Sequence, residues 1–118
     1  MITLKTLVLS TAQQVFDQVA DHLLAQGEQS MLEGKCVYNN HENLKCAAGC
    51  LIGDDEYDDL FEGNHWFELV NIGKVPKAHS WLIKGLQSIH DHHEPCKWLR
   101  ELENFALEHD LEFKHKPC

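Results

Sequence analysis

Apolar residues recur along this chain at helical intervals for most of its length. Ala12, Val15, Phe16, Val19, Ala20 and Leu23 fall three or four apart and predict an amphipathic helix from about Thr11 to Gln26. Ser10 or Thr11 can cap it, with Gln13 or Gln14 three residues on to complete a capping box, and Gly27 suits its stop. A second stripe, Leu82, Ile83, Leu86, Ile89 and His90, predicts a helix from after Pro76 to about His92. Trp98, Leu99, Leu102, Phe105 and Ala106 predict another from about Pro95 to His109. Pro95 suits a helix start, where its missing N–H costs nothing. Residues 1–9 read as a short extended lead-in.

The pattern changes in the middle. Cys36-Val37-Tyr38 and Leu44-Lys45-Cys46 flank the polar segment Asn39–Asn43, which predicts a β-hairpin over residues 35–47. Pairing symmetric about His41 sets Tyr38 opposite Leu44 and Cys36 opposite Cys46, with Cβ atoms about 4.5–5.5 Å apart. Cys46 to Ile52 reads as a short helix stacking Cys46 and Cys50 on one side, and Gly49 lets another backbone come close. Asp54 is placed to cap a further short helix that ends at Gly63. Residues 64–76 read as irregular or a single turn, with Trp66, Phe67, Leu69 and Val70 available to the core. The expected fold is α+β: one mostly helical domain, residues 1–118, with a small β-hairpin packed on the helices.

A chain of 118 residues can bury a real core without a disulfide or a metal. No apolar run approaches the roughly 20 residues that span a bilayer, and Leu7-Val8-Leu9 is too short for a signal-peptide core. Five cysteines are an odd number, which suits free thiols in a reducing compartment. The expected location is therefore a cytoplasm.

Charge narrows the range of partners. The chain has 10 Lys+Arg against 19 Asp+Glu, and residues 28–68 hold ten carboxylates with only Lys35 and Lys45. Such a face repels nucleic-acid phosphates and attracts a basic protein surface. The nine histidines add positive charge as pH falls towards 6.

The candidate chemistry is incomplete at each place it occurs. Zinc takes four Cys or His ligands, usually with short paired spacings. Cys36, Cys46 and Cys50 are spaced C-x9-C and C-x3-C, with His41 or His65 as a fourth ligand. The run His90-Asp91-His92-His93-Glu94-Pro95-Cys96 has ligand types but lies at an inter-helix corner, where a helix dipole favours histidine anyway. Cys46 could sit at a helix N-terminus, where a thiol becomes more acidic, yet no cysteine-enzyme signature surrounds it. The acidic run Asp54–Glu62 lacks the alternating ligands and glycine of an EF-hand loop, and no phosphate loop or nucleotide fingerprint occurs.

Gly34-Lys35-Cys36-Val37-Tyr38, followed by Lys45-Cys46-Ala47-Ala48-Gly49-Cys50-Leu51-Ile52-Gly53-Asp54-Asp55-Glu56-Tyr57, resembles a family of small uncharacterised proteins encoded by bacteriophages and bacterial genomes. Thr11–Val19 and Leu86–Asp91 are similar to theirs as well. Gly53 stands where that pattern usually has proline. The resemblance implies a phage or prophage accessory protein in a bacterial cytoplasm and brings no catalytic residues with it.

These readings converge on a non-enzymatic binder of a protein partner. Its acidic central face would use Asp54, Asp55, Asp58, Asp59, Glu62 and Trp66, with neither nucleic acid nor membrane as partner. The alternatives are a zinc protein built on Cys36, Cys46 and Cys50, and a small-molecule pocket between hairpin and helices.

Overall fold

Thr11 starts the first helix as the sequence predicts. Its hydroxyl accepts the Gln14 N–H at 3.1 Å, and the Gln14 side chain accepts the Thr11 N–H at 2.9 Å. Helix α1 (Ala12–Gln26) ends at Gly27, whose φ of +67° allows its N–H to reach the Leu23 carbonyl. The computed structural model describes residues 1–40 and 42–115. His41, the expected hairpin centre and one candidate ligand, and the fifth cysteine, Cys118, lie outside the described residues.

Among the described residues the chain forms four α-helices and one two-stranded antiparallel sheet. Helix α2 (Trp66–Asn71) is short, α3 (Ser80–His92) buries all five residues of its predicted stripe, and α4 (Trp98–Glu108) buries Trp98, Leu102, Phe105 and Ala106. A 3-10 turn, Pro95–Lys97, leads into α4. Helices α1, α3 and α4 pack on one another, and α2 packs on α3. Phe16 of α1 stacks on Phe105 of α4, with ring centroids 6.1 Å apart. Each large apolar side chain so buried contributes roughly 1.5–3 kcal/mol. The Cα radius of gyration is 13.4 Å, against about 13.5 Å for one compact domain of this length. The mostly helical α+β class is thus the observed one.

The hairpin is displaced from its expected position. Strands β1 (Met31–Leu32) and β2 (Lys35–Cys36) pair Met31 with Cys36 and Leu32 with Lys35. The two-residue turn between them has φ of +52° at Glu33 and +78° at Gly34, which matches the twist of the strands. Among the described residues of 37–47, the strand pairing is one isolated bridge, Asn39 to Lys45. The Cys46 N–H reaches the Tyr38 carbonyl at 3.4 Å, so Tyr38 faces Cys46 rather than Leu44, and Cys36 does not oppose Cys46. The register moves because Asn40 builds the turn: its side-chain oxygen accepts the N–H groups of Glu42 and Leu44 at 2.8 and 3.0 Å.

Three further expectations are corrected. Cys46–Ile52 forms only a 3-10 turn, Gly49–Leu51. Gly49 does admit a close backbone: a Cβ there would overlap the Tyr38 carbonyl oxygen. Asp58, not Asp54, is the acidic cap, and it caps the 3-10 turn Asp59–Phe61 by accepting the Leu60 N–H at 2.9 Å. Residues 1–9 are not extended. They turn into a 3-10 segment, Leu7–Leu9, because Leu7 plugs fully into the core and Glu56 accepts the N–H groups of Leu4 and Lys5.

Three glutamines of α1 hold distant chain by its backbone. Gln18 exchanges two hydrogen bonds with the N–H and C=O of Ile2, at 2.7 and 2.9 Å. Gln26 does the same with Lys45, at 3.0 and 2.9 Å, and Gln13 with Glu112, both at 2.9 Å. Each side chain imitates one rung of a β-ladder.

Candidate functional site

The last turn of α3 places two polar side chains on one face. Gln87 and Asp91 are four residues apart and therefore stack. The Gln87 amide donates to Asp91 Oδ1 at 2.7 Å, and its oxygen accepts the Ala48 N–H at 2.9 Å. One step around the helix, His90 points into the core. Its Nδ1 bonds Asp91 Oδ1 at 2.7 Å, and its Nε2 accepts the Ser30 backbone N–H at 2.9 Å. The Cys36 thiol, brought in by β2, donates to the same carboxylate. Burial pushes the Asp91 carboxyl up, but the bonds from His90, Cys36 and Gln87 together hold it below the ordinary carboxylate range.

Asp91 is the wall between two adjoining hollows. One, of about 180 Å³, lies over Tyr38, Cys46 and Glu62. The other, of about 350 Å³, runs between α2 and α3 past Phe67, Trp81 and Lys84. His65, Trp66, Gln87 and Asp91 border both. His65 stacks on Phe67 at 5.8 Å.

Among the described residues, Cys46 and Cys50 do not cluster with Cys36 as metal-ligand atoms. Cys46 is buried, its sulfur accepts the Gly49 N–H at 3.3 Å, and burial still pushes the thiol well up. Cys50 turns away, donates to the Ala47 carbonyl, and is pushed up to about 12 by burial. Burial and the Asp91 charge push Cys36 up to about 11. All three favour the protonated form, which is a poor nucleophile.

Among the described residues, the ligand atoms of Cys36, His90 and Asp91 alone lie within 4.8 Å of one another. The hydrogen bonds of His90 oppose a metal there. Because Nε2 accepts the Ser30 N–H, the ring proton sits on Nδ1. A metal on Nδ1 would move that proton to Nε2 and set it against the Ser30 N–H inside a dry core.

The other sequence candidates separate. Asp54, Asp55, Asp58 and Asp59 are exposed on one loop. Asp54 pairs with Lys45 at 2.9 Å and Asp55 with Lys5 at 3.2 Å. Glu62 turns inward, accepting the N–H groups of Tyr38 and Asn39 and the Tyr57 hydroxyl. Trp66 is 5% exposed, and its buried Nε1 has no partner among the described residues. Of the run at the inter-helix corner, His90 faces the core while His92 and Cys96 face outward. Sequence reasoning missed Gln87 and the meeting of Cys36 with Asp91, and it assigned Phe67, which is exposed, to the core. The i,i+4 spacing of Gln87 and Asp91 was the available signal.

No protein-family model, no curated protein and no solved structure matches this chain.

Proposed function

We propose that this protein is a non-enzymatic binder of a basic protein partner, acting through the acidic loop 54–59. One observation carries this reading. Asp58 and Asp59 have no ion-pair partner among the described residues, and between them and Glu62 stands Leu60, 74% exposed. An apolar side chain held out among uncompensated carboxylates suits a surface that is covered by a cationic partner. The resemblance of the cysteine-bearing centre to small phage and bacterial proteins supports an accessory role of this kind in a bacterial cytoplasm.

The test is charge reversal. Replacing Asp54, Asp55, Asp58 and Asp59 with Lys should abolish salt-sensitive capture of a partner from bacterial lysate, with a modest loss of stability from the Asp58 cap on Leu60. The two ion pairs lost lie at the surface, where water screens such pairs and they contribute little. Undiminished capture by a folded variant would reject the reading.

A further inference from the structure

This acidic chain has one stretch of the opposite sign. Residues 69–90 contain Lys74, Lys77 and Lys84 and no carboxylate. All three lysines are exposed, and none has an ion-pair partner among the described residues. Trp81 and Lys84, three residues apart on α3, both line the cleft between α2 and α3, with Phe67 on the α2 side. Lys77 stands at the entry to that cleft: its carbonyl accepts the N–H and the hydroxyl of Ser80, a lining residue, at 3.2 and 2.6 Å. Phe67 and Trp81 each lie against a histidine on one side, yet they remain 58% and 51% exposed. The flanking carboxylates Glu68 and Asp91 are half-buried and engaged, Glu68 with the His65 N–H and Asp91 with Gln87 and His90. Glu108 and Asp110, on either side of His109, do not line the cleft.

The complementary surface is on the same chain. The 3-10 turn Asp59–Phe61 buries Phe61 and holds Leu60 outward beside Asp58 and Asp59. Four residues after that turn the chain enters α2, whose His65 cap and Trp66 border the cleft. Loop and cleft therefore adjoin, and a two-fold rotation would set each copy's loop on the other's cleft. A basic protein would cover the loop and leave the lysines bare. An acidic peptide would cover the lysines and leave the loop bare. A second copy covers both, pairing opposite charges around apolar side chains that are otherwise open to water. The general repulsion between two chains of net charge −9 is screened beyond about 8 Å at physiological salt, while pairs shielded by contact are screened much less.

We infer that two copies of this chain associate about a two-fold axis, Leu60 of each against Phe67 and Trp81 of the other, with Asp58 and Asp59 set against Lys77 and Lys84. The inference rests on the reading of the acidic loop as a protein-binding surface and names a second copy as an occupant of it. An outside basic partner then has to displace that copy. The contact is one turn and one cleft per chain, smaller than the interface of a permanent dimer, so the dimer is weak and reversible.

The experiment is sedimentation equilibrium of the full chain under reducing conditions at physiological salt. The parent chain should dimerise with a dissociation constant below about 1 mM, the weak end of specific association. Two charge-swapped variants follow, both at exposed side chains. The loop variant combines Asp58→Asn with Asp59→Lys, and the asparagine keeps an acceptor for the Leu60 N–H. The cleft variant combines Lys77→Glu with Lys84→Glu. Each alone should dimerise at least about tenfold more weakly than the parent, because like charges now meet. The loop variant carries less net negative charge than the parent, so general repulsion does not account for its loss. Mixed in equal amounts, the two variants should form a mixed dimer within about fivefold of the parent affinity, since every reversed charge meets a reversed partner. Leu60→Ala, at unchanged charge, should weaken the parent dimer about fivefold. A parent chain still monomeric at about 1 mM, variants that dimerise as the parent does, or a mixture that stays monomeric overturns the inference. Capture from lysate reports separately. If the parent is monomeric yet reversal of the four loop aspartates abolishes capture, the dimer is wrong and the acidic face stands. If the mixed dimer forms while that reversal leaves capture undiminished, the dimer stands and the outside partner does not use the loop.

Discussion

The Nε2 atom of His90 accepts the backbone N–H of Ser30 at 2.9 Å, joining α3 to the strand entry sixty residues earlier in the chain. Both residues are 0% exposed, and the imidazole stacks on Trp98 with centroids 5.5 Å apart. The bond fixes the imidazole tautomer, and the tautomer fixes the Asp91 carboxylate at the cleft. A buried histidine of this kind is a structural part that sets the charge of its neighbour.

His90→Phe should therefore destabilise the protein although it adds apolar volume. It leaves the Ser30 N–H without an acceptor in the core, at a cost of about 1–3 kcal/mol. Urea denaturation followed by Trp fluorescence would measure it. A loss well under that range would mean that Ser30 finds another acceptor.

Stability should decline as pH falls below neutral, with His22 as one cause. Burial lowers the His22 pKa from its ordinary 6.5, and the hydrogen bond to the Lys45 carbonyl only partly restores it. The unfolded chain then takes up the proton first. The stabilisation is whole above about pH 6.5 and is lost as pH falls through the folded-state value. His22→Gln retains a donor for Lys45 and removes this titration. Its denaturation midpoint should fall less between pH 7.5 and pH 5 than that of the parent chain, and an identical fall would refute the assignment.

Gly49→Ala should be far more damaging than a helix-surface change. The added methyl would overlap the Tyr38 carbonyl oxygen, and backbone must shift to admit it. Overpacking of that sort costs roughly 1–3 kcal/mol. A thermal melt would show the loss. The Tyr38 hydroxyl, now bonded to the Asn64 carbonyl at 2.6 Å, should become easier to titrate.

The cysteines should react in a fixed order. With Cys118 replaced by Ser, iodoacetamide should label exposed Cys96 first, Cys36 more slowly and buried Cys46 only on unfolding. A rise from the ordinary 9.0 to about 11 cuts the thiolate fraction of Cys36 about a hundredfold. Mass spectrometry of timed samples gives the order. Early labelling of Cys46 would contradict its burial.

The helices were legible because their signals are local. Thr11 and Gln14 carry a cap within four residues, and the stripe from Leu82 to His90 repeats at the helical period. The hairpin was not legible in place. Its turn is Glu33-Gly34, a weak signal beside the asparagine-rich stretch that follows, and Asn40 folds that stretch on itself with side-chain bonds. Glu62 reads as surface because its neighbours in sequence are acidic, yet Tyr38 and Tyr57 draw it inward across the fold, while Trp66, which the sequence offers both to the core and to a partner, goes to the core. Asp91 was hidden among histidines whose directions differ by the 100° step of a helix. Only the meeting of β2 with α3, which no short window of sequence contains, brings Cys36 to it.

The three clasping glutamines of α1 give the molecule an uneven tolerance for change. Gln13, Gln18 and Gln26 grip peptide groups, and every residue except proline offers the same N–H and C=O. The grips on Ile2, Lys45 and Glu112 are therefore blind to which residue other than proline stands at 2, 45 and 112. The chemical identity of those three stations is free to drift so far as the grip is concerned, while the glutamines are not. One helix thus carries the specification for wrapping three distant stretches of chain, and the grips themselves ask little of the side chains they hold in place.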